Sequence, residues 1–289
     1  TLIRVADPDY EPPSLPREVN LSLAPGLELL GYGVREHHGN WEAWARLRLW
    51  WRAPEGLEDP FKVSARLIDG GDQVVASVDA EPVAAAYPAT AWRPGEVVAD
   101  AYEIPLPAGL APGEYRPLVI VYEPGTGAEM GRALLAPVTL QGNPARPPRR
   151  ALEASIGETP YARFGDVELL GFTPPDPPAA YTPGGALPLV LLWQARGQPS
   201  GDLRVAFWLE ADGAHALGEE PVGGRFPASA WQDGQVVRQW PVLRVPQDTP
   251  AGNYRLKMRV TRDGRPVPWG RGLLPMGSDL ELGAVLIEQ

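Results

Sequence analysis

A long stretch of this chain is written twice. Residues 82–135 superpose on residues 221–274 at a constant offset of 139 without a gap, and about 19 of the 54 aligned positions are identical. The matches include Pro82/Pro221, Pro88/Pro227, Trp92/Trp231, Gly95/Gly234, Gly113/Gly252, Tyr115/Tyr254 and the pair Gly131-Arg132/Gly270-Arg271. A fixed internal period means that one supersecondary arrangement is built twice. The 289 residues therefore divide into two domains, each long enough to bury a core of its own without metal or disulfide.

Within each copy the apolar period is two. Leu47, Leu49 and Trp51 alternate with Arg46, Arg48 and Trp50, and Leu189, Leu191 and Trp193 form the matching inward set. Val63, Ala65 and Leu67 correspond to Val205, Phe207 and Leu209. Alternation of this kind predicts half-buried strands. The 35 prolines and 32 glycines fall between these runs and mark turns, with hairpin signals at Asp69-Gly70-Gly71-Asp72, Asp212-Gly213 and Asp263-Gly264. About seven short strands per copy predict an all-β fold of two tandem immunoglobulin- or fibronectin-III-like β-sandwiches. The expected layout is an extended arm over residues 1–22, where Asp7-Pro8-Asp9 and Glu11-Pro12-Pro13 are acidic and Pro-rich, then a first sandwich over 23–141. A Pro/Arg-rich linker follows over 142–160, and a second sandwich over 161–289.

Several aromatics read as scaffold. A Tyr just after a Gly turn, in Pro112-Gly113-Glu114-Tyr115 and Ala251-Gly252-Asn253-Tyr254, has the form of a tyrosine corner. Trp51 and Trp193 hold the inward register of an early strand, and Trp92 and Trp231 share a loop motif, so all six (with Tyr115 and Tyr254) are assigned to structure. The aromatics that the copies do not share carry the functional expectation. Trp41 and Trp44 flank a hairpin tip in the first copy and are candidates for stacking on a sugar. In the second copy Val190, Leu192 and Trp208 stand outward where the first has Arg48, Trp50 and Arg66. They predict one apolar outer face on the second sandwich, expected to meet the other domain or the arm, or else an external partner.

Reactive constellations are sparse. The chain has no cysteine and three histidines. His37 and His38 are adjacent, so on a strand they point to opposite faces and cannot chelate one ion; His215 lies in a polar turn without a partner at ligand spacing. A Gly-x-Ser-x-Gly elbow, a Gly-x-x-x-x-Gly-Lys loop and an Asp-rich Ca²⁺ loop are all missing. The net charge of −10 disfavours a general nucleic-acid or anionic-membrane surface. No apolar run reaches membrane-spanning length, which argues against direct membrane insertion of these residues. The expectation is a non-catalytic chain without cofactor or metal.

Taken together, Leu169-Leu170-Gly171-Phe172, Leu192-Trp193-Gln194, the stretch from Pro221 to Val237, and Pro250-Ala251-Gly252-Asn253-Tyr254 resemble the repeats of a family of bacterial extracytoplasmic sandwich domains. These are often attached to multi-spanning membrane glycosyltransferases of the protein mannosyltransferase type. The first copy departs from that pattern at Arg52, where the second has Gln194, and at Ala84-Ala85, where it has Gly223-Gly224. The resemblance implies an extracytoplasmic module, at the cell surface or excised from a membrane-anchored chain; no catalytic residue transfers, since the family's chemistry resides in its membrane part. The function expected is recognition or spacing, with a glycan or a cell-surface protein as partner. The alternatives are a purely structural or assembly element and a glycoside-active enzyme.

Overall fold

The computed structural model describes residues 10–11, 13–174, 180–272 and 274–288. Over these residues the chain is all-β, and its strands fall into two compact units. The first unit runs to Pro107 and resumes over Pro112–Gly142; the second takes Ala108–Ala111 and the chain from Asn143 onward. No helix among the described residues is long and apolar enough to cross a membrane.

The first unit contains β1 (Arg17–Ala24), β2 (Leu27–His38), β3 (Ala43–Arg52), β4 (Lys62–Ile68), β5 (Val74–Ala80), β6 (Val97–Leu106), β7 (Gly113–Tyr122), β8 (Glu129–Leu134) and β9 (Val138–Leu140). They form two antiparallel sheets, ordered β1-β2-β3-β6 and β5-β4-β7-β8, with β9 added to β7. Along β3 every second residue is buried, from Ala43 through Ala45, Leu47 and Leu49 to Trp51. Val63, Ala65 and Leu67 of β4 alternate in the same way. Such a pleat buries one face of each sheet and leaves the other to solvent. Trp51 meets Phe61 edge-on at 5.9 Å, and Phe61 meets Trp92 at 5.8 Å, which ties the two sheets together.

The second unit begins with a helix, α1 (Arg149–Ile156). Its strands are β10 (Ala162–Phe164), β11 (Val167–Thr173), β12 (Ala180–Tyr181), β13 (Ala186–Leu187), β14 (Val190–Ala195), β15 (Leu203–Glu210) and β16 (Ala214–Pro221). There follow β17 (Val236–Gln239), β18 (Leu243–Arg244), β19 (Gly252–Arg262), β20 (Arg265–Pro266), β21 (Trp269–Arg271), β22 (Leu274–Gly277) and β23 (Asp279–Ile287). One sheet is ordered β17-β14-β11-β10-β21-β22 and the other β12-β23-β19-β15-β16; β20 joins β19, and β13 pairs with β18. All pairings are antiparallel except β12 with β23. A single buried cluster draws Leu169, Leu191 and Trp193 from the first of these sheets and Val205, Phe207, Leu209, Leu256 and Met258 from the second.

Two of the expected boundaries change. Residues 1–9 and 12 of the expected arm lie outside the described residues, but its end is not an arm. Arg17–Ala24 is strand β1, paired along β2 from Arg17↔Tyr32 to Ala24↔Leu27. The Pro/Arg-rich linker is not a plain connector either. After Pro148 it forms α1, whose Leu152 and Ile156 are buried. They stand four residues apart, on one face of a helix.

Candidate functional site

The two units share a device on the outer face of the sheet that carries the repeated Leu-Leu-Gly. In β2 the register with β3 slips between Leu29 and Gly31, and in β11 the register with β14 slips between Leu169 and Gly171. The extra residue of each bulge turns outward, so Leu30 and Leu170 leave the main core and found a small cluster on the outer face. Leu30 packs with Trp50 and Val97; Leu170 packs with Leu192 and Val236, at the equivalent positions. The glycine after each bulge lets a second segment cross the sheet closely. A Cβ on Gly31 would lie 2.6 Å from the Arg17 carbonyl oxygen, and one on Gly171 would lie 2.6 Å from Ile156. Neither position tolerates a side chain without displacing the segment above it.

What crosses differs, and this separates the units. In the second unit α1 lies on the cluster, and Leu152, Ile156, Leu170, Leu192 and Val236 are all fully or almost fully buried, with Val190 packed at the margin. The single outer patch expected from Val190, Leu192 and Trp208 therefore does not exist. Leu192 and Val190 sit on β14 beneath the helix, whereas Trp208 is on β15, in the other sheet. Alternation along a strand tells inside from outside but not which sheet the strand joins. Trp208 is half-buried and carries the Arg259 guanidinium over its ring at 5.3 Å. Arg259 is held in turn by two hydrogen bonds to the Asp279 carboxylate, of 2.6 and 2.9 Å.

In the first unit the corresponding cover is one partly buried side chain, Leu15, over Leu30, Trp50 and Val97, with Pro16 beside Gly33. Beyond it no described residue is packed over the outer face of β3. Its outward residues are Trp44, Arg46, Arg48, Trp50 and Arg52. Trp44 is half-buried and stacks on His37 of the paired strand, with ring centroids 5.6 Å apart and planes within 15°. The Arg48 guanidinium lies over the Trp50 ring at 5.2 Å. Arg35 stands directly opposite Arg46 across β2 and β3. Arg52 is ion-paired with Glu28 at 2.7 Å. Among the described residues no carboxylate lies within ion-pairing distance of Arg35, Arg46 or Arg48, although Glu103 is the β6 neighbour of Arg46 in register. On the outer face of β15 and β19 in the second unit, by contrast, Arg204, Arg255, Lys257 and Arg259 each have a carboxylate partner. Trp41 sits half-buried in the β2–β3 connection, short of this row, where Gly39 N–H donates to the Glu42 carbonyl at 2.7 Å.

Next to Arg46 and Arg48 the backbone takes an unusual form. Val83, Ala84 and Ala85 have φ of 53°, 49° and 60°, three successive side-chain-bearing residues in the left-handed region. This conformation costs about 1–2 kcal/mol per residue and is an outlier for a β-branched side chain. The turn is anchored by the buried Asp100, whose Oδ1 accepts from Val83 N–H at 2.9 Å and from Ala101 N–H at 2.7 Å. The Tyr102 hydroxyl donates to the other carboxylate oxygen, and burial beside that carboxylate pushes its pKa far up, so it stays a donor. In the second unit Gly223 and Gly224 make the left-handed turn, and Gln239 replaces Asp100, accepting from Gly223 N–H at 2.9 Å. Arg46, Arg48, Val83, Ala84, Ala99 and the Asp100–Ala101 segment line a shallow cleft of about 250 Å³.

The aromatics assigned to structure are buried in both units. Trp92 and Trp231 each follow a 3₁₀ turn, Ala89–Ala91 and Ala228–Ala230, and donate Nε1–H to the carbonyl five residues back, Tyr87 and Phe226, at 3.2 and 2.8 Å. The Tyr254 hydroxyl donates to the Pro250 carbonyl at 3.0 Å, closing the Gly turn between them, and Tyr115 is buried at the matching place. Trp51 and Trp193 are both fully buried. Trp193 Nε1–H donates to Gln239 Oε1 at 2.8 Å, whereas Trp51 Nε1, in the unit where Asp100 is committed to the turn, has no acceptor among the described residues.

The sequence drew attention to Trp44 but not to the arginines beside it or to the turn behind them. Two signals were present: like charges at alternate positions of one strand, and Ala84-Ala85 aligned with Gly223-Gly224. Among the described residues no group of three or more His, Cys, Asp or Glu side chains converges as a metal site would need. The open row has the chemistry of a binding surface, with an aromatic platform, two unpaired guanidinium groups and a rigid backbone turn held by a buried carboxylate. No protein-family model and no curated protein matches the chain.

Proposed function

We propose that the chain is a non-catalytic recognition module made of two immunoglobulin-like sandwiches, and that the first of them binds carbohydrate on the outer face of β3. One observation carries this reading. The outer face that α1 seals over Leu192 in the second unit is, among the described residues, left uncovered in the first along Trp44, Arg46 and Arg48. An aromatic ring beside a few fixed polar groups is the composition of a saccharide site, because the apolar face of a sugar ring stacks on the aromatic while its polar substituents take the hydrogen bonds. Trp44 supplies the ring, steadied by His37 behind it. An assembly role through Leu192 loses its support, since that residue is buried beneath the helix. The resemblance of the repeats to extracytoplasmic sandwich domains supports a module that works outside the cytoplasm, with a cell-surface glycan as its partner.

A glycan array followed by titration of intrinsic Trp fluorescence tests the reading. Binding to at least one glycan class is expected, weakened about two- to tenfold in Trp44→Ala, the loss of one stacked ring being worth about 0.5–1.5 kcal/mol. Silence across neutral and acidic glycans, with the fold intact by circular dichroism, would refute it.

A further inference from the structure

We infer that the glycan bound on the outer face of β3 is an acidic one, its carboxylate or sulfate group seated between Arg46 and Arg48 against the left-handed turn at Val83–Ala85. The inference rests on the carbohydrate reading above and adds the charge of the ligand to it.

Arginine disposition comes first. The chain carries a net charge of −10, so carboxylates are plentiful, and on β15 and β19 the outward basic residues have found them. Among the described residues Arg35, Arg46 and Arg48 form no ion pair, although Glu103 stands in register beside Arg46 on β6. Arg46 and Arg35 face each other directly across an antiparallel pair, an arrangement of like charges that destabilises a sheet. Like charges held opposite one another with no ion pair formed mark a place kept for a ligand. An anion between these groups removes the repulsion and supplies the missing partner.

Geometry comes second. Residues two apart on a strand project from the same face roughly 6–7 Å apart, so the two guanidinium groups can close on one anionic group from both sides. Planar guanidinium forks match carboxylate and sulfate oxygens in pairs. Arg48 is already oriented by the face of Trp50, so little side-chain freedom remains to be lost on binding. Arg46, Arg48, Val83 and Ala84 all line the cleft. The strained turn is fixed by the Asp100 carboxylate, whose Oδ1 is committed to backbone N–H groups and whose Oδ2 is committed to Tyr102. Both oxygens of that carboxylate are engaged by these donors, and it forms no ion pair with either arginine. Backbone strain held in place by its surroundings is characteristic of ligand clamps. Trp44, two residues along the same row, is placed to receive the ring of the sugar that carries the acid group.

The experiment uses the intact chain and calorimetric titration with a galacturonic acid oligosaccharide, a sulfated galactan oligosaccharide and a neutral cello-oligosaccharide of the same length. The expected result is binding of one acidic probe at least tenfold tighter than the neutral one. That affinity should fall by at least tenfold in Arg48→Ala and by a further factor of several in Arg46→Ala/Arg48→Ala. It should also fall steeply between 50 and 500 mM salt. Preference for the carboxylated or the sulfated probe identifies which acid group the cleft takes. Equal affinity for acidic and neutral probes, or acidic binding unchanged in the double variant, overturns the inference while leaving the carbohydrate reading standing. Absence of binding to all three probes and across the glycan array overturns both. Arg46 and Arg48 are exposed, and a cooperative melting curve of the double variant with no fall in midpoint shows that its fold is retained.

Discussion

Replacing Leu152 by Ala tests the difference on which the two units are distinguished. Leu152 is fully buried between α1 and the outer face of the sheet, against Leu170, Leu192 and Val236. The substitution removes three buried carbons, worth about 2.4 kcal/mol at roughly 0.8 kcal/mol each. A helix anchored by only two buried side chains collapses incompletely onto the gap, so a cavity contribution brings the loss to about 3 kcal/mol, inside the range of about 2–5 kcal/mol for Leu→Ala in cores. For a unit of about 150 residues this lowers the melting temperature by roughly 6–12 °C. Hydrogen exchange read by mass spectrometry assigns the effect to its place. Amide protection should fall in peptides covering β11 and β14 and stay unchanged in peptides covering β2 and β3. Arg150→Ala, on the exposed side of the same helix, is the control and should stay within about 0.5 kcal/mol. If Leu152→Ala also costs less than about 0.5 kcal/mol, well below a core substitution, α1 does not seal that face and the contrast between the units fails.

Two further predictions concern the turn and the pH response. Ala84→Gly/Ala85→Gly gives the first unit the left-handed turn that Gly223 and Gly224 make in the second. It relieves about 1–2 kcal/mol per residue of backbone strain and gives back about 0.4–1 kcal/mol to unfolded-chain entropy, so a net gain of about 1–2 kcal/mol is expected in urea denaturation; a lower midpoint would contradict the strain. Burial raises the pKa of Glu220, opposed only by the hydrogen bond from Gln239 Nε2. A carboxyl whose folded pKa is raised stabilises the fold while protonated, below its unfolded value of about 4.3, and loses that contribution as the pH climbs through its folded value. Glu220→Gln should therefore stabilise the chain at neutral pH, with the gain shrinking as the pH falls toward 4; a gain that grows on acidification would show that the carboxylate is stabilising.

Much of the scaffold was legible in the sequence because it obeys a short-range rule. Alternation placed Leu47, Leu49 and Trp51 inward, and the duplicated loop motif of Trp92 and Trp231 marked a turn that recurs with the same hydrogen bond. The missed parts depend on partners distant in sequence. Eight residues after a proline pair are too few to announce a helix by propensity, and only the four-residue spacing of Leu152 and Ile156 hinted at α1. Trp208 and Leu192 looked alike because both stand outward, yet they belong to different sheets. The left-handed turn has no local signal in Val-Ala-Ala; the aligned glycines of the other copy were its trace. For the candidate site, Trp44 was found because it is aromatic and unshared, whereas the significance of Arg46 and Arg48 lay in partners they lack, which only the fold reveals.

The most direct measurement is a hydrogen-exchange footprint of the intact chain with and without saturating galacturonic acid or sulfated galactan oligosaccharide. Binding on the outer face of β3 predicts added protection in peptides covering residues 43–52 and 82–86, and none over β15 and β19. Protection confined to the second unit, or absent from 43–52 while the probe is bound, would contradict the assignment of recognition to this face.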